Sequence, residues 1–119
     1  MKNDQSIEDY LEAIHILAVD GSDVHRAEVA RRLGVSQPAV TKAVKRMCEL
    51  GYVRVEGMHI CLTESGAERA AGVYEKHRDI REFLLRLGVS ESVAETDACR
   101  IEHVVCEETY DAIKKFIGK

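Results

Sequence analysis

The stretch RAEVARRLGVSQPAVTKAVKRMCELGYV, residues 26–53, decides the fold. Residues 26–33 place Ala27, Val29, Ala30 and Leu33 on one face of a short helix, and Gly34 supplies the left-handed residue that ends it. Ser36 then offers a hydroxyl acceptor to the free N–H groups of a second helix. Pro38 fits the first turn of that helix, because its missing N–H would have no partner there. The helix runs to about Leu50, with Val40, Ala43, Val44, Met47 and Leu50 in one apolar stripe. Helix, glycine turn and helix at this spacing let the second helix enter a major groove of DNA with its N-terminal residues against the base edges.

Working outward, YVRVE (52–56) and HICLT (59–63) read as two short strands joined by Gly57 and Met58 in a tight hairpin. Upstream, SIEDYLEAIHILAV (6–19) carries apolar residues at 7, 10, 11, 14, 17 and 18, the spacing of an amphipathic helix, with Ser6 as its N-cap. DGSD (20–23) is a turn cluster. Three helices followed by a hairpin is the order of a winged helix-turn-helix. Downstream, Thr63 opens a long helix to about Leu87, closed by Gly88, with the stripe Ala67, Ala70, Val73, Tyr74, His77, Ile80, Phe83, Leu84 and Leu87. Ser90 caps a further helical stretch, and DACRIEHVVCEETYDAIKKFI (97–117) reads as one helix broken near Cys106 or as two. The predicted fold is therefore mainly α, with a winged helix-turn-helix over residues 1–63 and a helical lobe over residues 64–119.

Composition agrees with a compact fold: 119 residues, 45% hydrophobic and 32% charged, with one proline and no tryptophan. That excludes a disordered chain, a collagen or a coiled-coil array. No apolar run approaches the roughly 20 residues of a membrane helix, and the start MKNDQSIEDY has neither the charged head nor the apolar stretch of a signal peptide, so a cytoplasmic protein with no membrane partner is expected. In that compartment the four cysteines are expected reduced. A net charge of −4 argues against a protein that coats nucleic acid indiscriminately. Between Arg26 and Arg46, however, six positive side chains face Glu28 alone. Ser36, Gln37, Pro38 and Thr41 occupy the first turn or so of the second helix, where Gln37 suits a paired contact to adenine and the hydroxyls suit phosphates. Arg26, Lys42, Lys45 and Arg46 supply salt-sensitive attraction to double-stranded DNA. The plainer reading is a packing module whose basic residues are ordinary solvated surface.

A second constellation lies outside this region. Cys99, Glu102 and His103 stand at i, i+3 and i+4, which puts a thiolate, a carboxylate and an imidazole on one helical face. Asp9 and Glu12 are likewise i and i+3, and His77 lies on the apolar stripe of the long helix. Together these are six donors for a metal ion. Each also has a bland reading: Asp9 in a capping box with Ser6, Glu12 solvated, His77 a hydrogen-bonded core histidine, Cys99 a small buried hydrophobe. Cys48, Cys61 and Cys106 read best as packing residues, with a redox or ligand role open to Cys106, while His15, His25 and His59 read as surface or locally bonded residues.

At these residues the sequence resembles the diphtheria toxin repressor and manganese transport regulator family of metal-dependent transcription factors. The resemblance covers essentially the whole chain, through EDYLEAI, VSQPAVTKAVKRMCELGYV, LTESGAERA, KHRDIREFL and CRIEHVV. It implies a homodimer that binds palindromic operators, with DNA binding in residues 1–63 and dimerisation plus metal binding in residues 64–119. Asp9, Glu12, His77, Glu102 and His103 match ligands of the manganese branch, which holds a pair of ions. Cys99 is instead similar to the iron branch, which lacks a pair like Asp9 and Glu12, so Fe²⁺ and Mn²⁺, and one ion or two, all stay open. Arg81 stands near a position where the iron branch carries an acidic second-site ligand, and Glu95 is a nearby substitute. Carboxylate donors favour Mn²⁺, a thiolate favours softer ions, Fe²⁺ is intermediate, and Zn²⁺ or Co²⁺ would bind in vitro. Without metal, Asp9, Glu12, Glu102 and a Cys99 thiolate would repel one another by about 1 to 4 kcal/mol per close pair, loosening the first helix.

The competing functions are a metal-independent winged-helix regulator answering to a small molecule or to thiol oxidation at Cys99 and Cys106, a metalloenzyme, and a structural dimerisation module. No phosphate loop or nucleophile elbow accompanies the donors, and neither an enzyme nor an organic cofactor is expected.

Overall fold

The computed structural model describes the backbone of residues 2–19 and 23–119, and the side chains from Ile7 onward within those ranges. Six helices and one hairpin follow in order: α1 (Lys2–Ala18), α2 (Arg26–Leu33), α3 (Gln37–Glu49), β1 (Val53–Glu56), β2 (His59–Leu62), α4 (Glu64–Arg86), α5 (Glu91–Ile101) and α6 (Glu107–Phe116). The chain divides into two compact units, Met1–Ala71 and Gly72–Lys119, with the division inside α4.

The first unit is the winged helix-turn-helix. Gly34, at φ 69°, closes α2 in the left-handed region, and both its N–H and that of Val35 donate to the Ala30 carbonyl. Two residues later the Ser36 Oγ accepts the Ala39 N–H at 3.2 Å and opens α3, with Pro38 in the first turn. The core of this unit collects Leu11 and Ile14 from α1, Val29 from α2, Val40, Val44 and Met47 from α3, and Val53 and Ile60 from the hairpin. Each fully buried aliphatic side chain there contributes about 1.5 to 3 kcal/mol relative to exposure.

β1 and β2 pair antiparallel from Val53↔Leu62 to Glu56↔His59, around the two-residue turn of Gly57 and Met58. The base of this wing is tied on three sides. Thr63 donates its N–H to the Tyr52 carbonyl at 2.9 Å and its hydroxyl to the Gly51 carbonyl at 2.6 Å, while its Oγ1 accepts the Gly66 N–H at 3.1 Å. Arg69 donates to the Tyr52 hydroxyl and pairs with Glu8 of α1 at 3.3 Å. The Ile60 N–H donates to the Val24 carbonyl.

In the second unit, Ile80, Ala98 and Ile113 form the buried centre, with Phe83, Leu84, Ile101 and Val105 packed on it. Asp79 is fully buried and accepts the Tyr110 hydroxyl at 2.6 Å and the Lys119 ammonium at 2.5 Å. Burial disfavours its charge, but the hydrogen bonds from Lys119 and Tyr110 prevail and hold its carboxyl below the usual aspartate range. The Tyr110 hydroxyl is pushed up in turn, by burial first and then by Asp79.

Several sequence expectations are corrected. α1 begins at Lys2, so Ser6 lies within the helix and is not its N-cap, and Asp9 belongs to no capping box. Most of the DGSD cluster, residues 20–22, lies outside the described residues. Leu50 and Leu87 are exposed because each sits at a helix end, where the apolar stripe has run past its packing partners. Cys48 and Cys106 are exposed and Cys61 is only partly buried, so none is a core residue. Of the two readings open for the stretch from residue 97, the two-helix one holds: α5 and α6 are separated over residues 102–106, with Cys106 at the N-cap of α6.

Two glycines of α4 give opposite expectations. A Cβ on Gly66 would lie 1.9 Å from the Tyr52 carbonyl oxygen, a backbone atom held by Thr63, whereas Gly72 has nothing within 4 Å. Gly66→Ala should therefore lower stability by about 1 to 3 kcal/mol through overpacking. Gly72→Ala should raise it by about 0.5 to 1 kcal/mol by reducing unfolded-chain entropy. Urea unfolding of both variants checks the pair.

Candidate metal centre and nucleic-acid interface

The donors predicted for a metal divide between the two units. In the first, Asp9 and Glu12 sit on α1 amid the apolar residues Tyr10, Leu11, Ala13 and Ile14, with Glu12 buried and Asp9 half-buried. The i, i+3 spacing places both on one side of the helix.

The second unit brings three of the predicted residues together. His77 projects from α4 and is 8% exposed. Glu102 is the C-cap of α5, still in helical conformation, and is 3% exposed. His103 follows in the turn beyond the helix, with its side chain 5% exposed. His77 Nδ1 stands 3.4 Å from Glu102 Oε2, and His103 Nε2 stands 3.6 Å from Glu102 Oε1. Cys99 behaves differently: one turn earlier on α5, it is exposed while Glu102 and His103 are covered. The helix ends at Ile101, so the uniform i, i+3, i+4 face read from the sequence extends only to Glu102.

Electrostatically, Glu102 is an incomplete arrangement. Neither of its buried carboxylate oxygens accepts a hydrogen bond among the described residues. A buried carboxylate in that condition costs about 1 to 3 kcal/mol or more, because it has lost water without gaining donors. Two imidazoles stand beside it, whose ring nitrogens bind divalent first-row ions, and carboxylate oxygen is a good ligand for the same ions. The donor set thus fits a divalent metal, which would satisfy both oxygens.

Sequence reasoning left Glu95 as a substitute ligand near Arg81 and gave it no partner. Its Oε2 lies 2.8 Å from His77 Nε2, and its Oε1 lies 3.0 Å from Arg81 Nε. The signal was present in the helical register: Arg81 and His77 are i and i+4 on α4 and so share one face. Asp79 was also missed, since a charged residue beside the stripe carries no sign of burial in its spacing.

Most of the residues predicted to meet DNA lie on the surface of the first unit. Ser36, Gln37, Pro38, Thr41, Lys42, Lys45 and Arg46 are all exposed, on the side of α3 opposite Val40, Val44 and Met47. Arg46 reaches Glu49 at 3.8 Å across open surface, a weak pair that leaves its charge available. Arg26, at the start of α2, is half-buried, and among the described residues its buried Nε has no acceptor. Among the described residues no helix is long and apolar enough to cross a membrane.

Comparison with known proteins gives two family-model matches that together span most of the chain. Residues 4–59 match the family model of the iron dependent repressor N-terminal DNA binding domain, and residues 63–119 match that of the iron dependent repressor metal binding and dimerisation domain. An HTH-type transcriptional regulator of Methanocaldococcus jannaschii is 38% identical over 118 residues, covering 97% of this chain and 94% of that one. The transcriptional regulator MntR of Salmonella typhimurium is 40% identical over 111 residues, covering 92% of this chain and 71% of MntR. Among solved structures, the manganese regulator SloR superposes with a TM-score of 0.84 at 29% identity, over 93% of this chain and 53% of that one. This chain therefore spans about half the length of that structure.

Glu102 generates a prediction with two opposed readouts. Glu102→Gln removes the buried charge and leaves an amide that can donate to an imidazole, so the metal-free protein should gain about 1 to 3 kcal/mol of stability. The same variant should lose most of its affinity for Mn²⁺. Urea unfolding in chelator and calorimetric titration with Mn²⁺ measure the two; a destabilised metal-free variant would show that Glu102 is already balanced.

Proposed function

This chain belongs to the iron-dependent repressor family of metal-dependent transcriptional regulators, and we propose that it senses Fe²⁺ or Mn²⁺ and binds palindromic operators as a homodimer to control metal homeostasis genes. The observation that carries this reading is Glu102, a buried carboxylate facing two imidazoles, neither of whose oxygens accepts a hydrogen bond among the described residues. In this reading residues 1–63 read DNA and residues 64–119 dimerise and bind metal. The protein works in the cytoplasm and is not an enzyme.

The proposed ligands are His77, Glu102 and His103, completed by Asp9, Glu12 and Cys99. When bound, a divalent cation supplies the positive charge these donors lack. Asp9 and Glu12 lie on α1, whose Leu11 and Ile14 share a core with Val40, Val44 and Met47 of α3. Holding α1 therefore holds the reading helix. In a dimer, two such helices enter successive major grooves only when about 34 Å apart or at a multiple of that turn length. Gln37 and Thr41 would face base edges, while Lys42, Lys45 and Arg46 would face phosphates.

Exposed Cys106 favours the second reading, a metal-independent regulator answering to thiol oxidation. Hydrogen bonding from Thr109 and from backbone N–H groups lowers its thiol pKa, which raises the thiolate fraction.

The two readings part on one measurement, made on a DNA site selected by the protein from a random-sequence pool. Metal dependence predicts binding tighter by about 5- to 150-fold in Mn²⁺ or Fe²⁺ than in chelator, the usual range of coupling between sites. Equal affinity in both conditions refutes it, and loss of binding on oxidation alone would support the thiol reading. Lys42→Ala and Arg46→Ala should each flatten the salt dependence of binding by about one unit of slope.

The place of Cys99 has its own test. A soft thiolate among harder donors shifts preference away from Mn²⁺. Cys99→Glu should move the ranking of activating ions toward Mn²⁺ over Fe²⁺ and Co²⁺, and an unchanged ranking would remove Cys99 from the ligand set.

A further inference from the structure

His77 touches a carboxylate at each ring nitrogen: Glu95 Oε2 at 2.8 Å from Nε2, and Glu102 Oε2 at 3.4 Å from Nδ1. The two contacts differ in kind. The first has hydrogen-bond length, and an ionised carboxylate can only accept, so the proton must sit on Nε2. The second exceeds the ordinary hydrogen-bond range, and in a neutral ring Nδ1 then presents a lone pair toward a carboxylate that also presents lone pairs. Two such atoms held face to face inside the protein are suited to a cation between them. Glu95 is itself held, because its other oxygen pairs with Arg81 Nε at 3.0 Å and Arg81 stands one turn after His77 on α4. The carboxylate of Glu95 thus spans α5 to α4 and is engaged on both oxygens, which sets its direction toward the imidazole.

We propose that Glu95, steadied by Arg81, is a positioning residue that keeps the His77 proton on Nε2 and so leaves Nδ1 the unprotonated nitrogen for metal, on the side of Glu102. It does not touch the ion. A metal-binding histidine commonly donates its other N–H to a carboxylate, which fixes tautomer and orientation and raises the basicity of the donating nitrogen. Glu95 therefore serves as the partner of a ligand, where its place near Arg81 in the sequence reads as that of a second-site ligand. This inference rests on the metal-sensing reading above.

The test uses the full chain labelled with ¹⁵N-histidine. In metal-free protein, at a pH where the ¹⁵N shifts show the ring to be neutral, His77 should report the Nε2–H tautomer in long-range ¹H–¹⁵N spectra. Glu95→Ala should give a mixture of tautomers and weaken Mn²⁺ binding by about 10- to 100-fold, the usual effect of losing such a partner. Glu95→Gln, whose carbonyl oxygen can still accept the Nε2 proton, should restore the tautomer and most of the affinity. A general loss of structure would not be rescued in this way, and the exposed side chain of Glu95 makes the variants compatible with folding. An Nδ1–H tautomer in the unmodified chain overturns the proposal, and so does a Glu95→Ala variant with unchanged tautomer and affinity. If the unmodified chain binds no Mn²⁺, Fe²⁺ or Co²⁺ while its His77 tautomer responds to Glu95 as expected, the metal-sensing reading fails and the proton assignment stands.

Discussion

Buried charge must be balanced where it sits, and the second unit contains two carboxylates that meet this constraint differently. Asp79 is balanced by the protein itself: Tyr110 and Lys119 donate to its two oxygens, α4 is tied to α6, and the acid is held in its charged form. Glu102 is equally withdrawn from water but stands 3.4 and 3.6 Å from imidazole nitrogens, and among the described residues neither of its oxygens accepts a hydrogen bond. The first arrangement is closed, and the second calls for a positive charge from outside. A side chain built into a fold for stability alone resembles Asp79, because an unbalanced buried acid costs free energy that a neutral residue would not. The cost of Glu102 is intelligible as the energetic reserve of a binding site.

In the first unit the same economy of backbone groups positions the reading helix. Gly34 and Val35 satisfy the end of α2 on the Ala30 carbonyl, Ser36 satisfies the start of α3, and Thr63 binds the hairpin base to the first turn of α4. These are short-range bonds between neighbouring segments, so the orientation of α3 against α1 and the wing is set by a few well-occupied donors as much as by the apolar core. The basic side chains of α3 are left on the opposite side, with one weak ion pair at Arg46.

The parts of this arrangement legible in the sequence are those carried by local rules. The glycine and serine between α2 and α3, the proline in the first turn, the two-residue hairpin and the end of α4 at Gly88 each depend on residues within a few positions of one another. The pairing of His77 with Glu102 and His103 was legible because residue type marked the donors. What escaped depends on tertiary placement. Asp79 is buried by α6 and the C-terminal lysine, 31 and 40 residues away. Glu95 gains its meaning from a helix that precedes it, and the exposure of Cys99 on α5 carries no mark in its spacing to Glu102 and His103. The start of α1 at Lys2 shows the opposite failure, where a good capping residue at Ser6 was outweighed by a helix able to continue through it.

The cap at Ser36 limits what that residue can do at the surface where it stands. Its oxygen leans inward to the Ala39 amide, and the positive end of α3 favours the same orientation of the O–H dipole, with hydrogen outermost. Toward an approaching polynucleotide the hydroxyl is then chiefly a proton giver, matched to the oxygens of the sugar–phosphate strand and poorly matched to the exocyclic amines of adenine or cytosine. Under the proposed function Ser36 would give its proton to a strand oxygen or to a base acceptor such as a purine N7, and would not accept from an exocyclic amine.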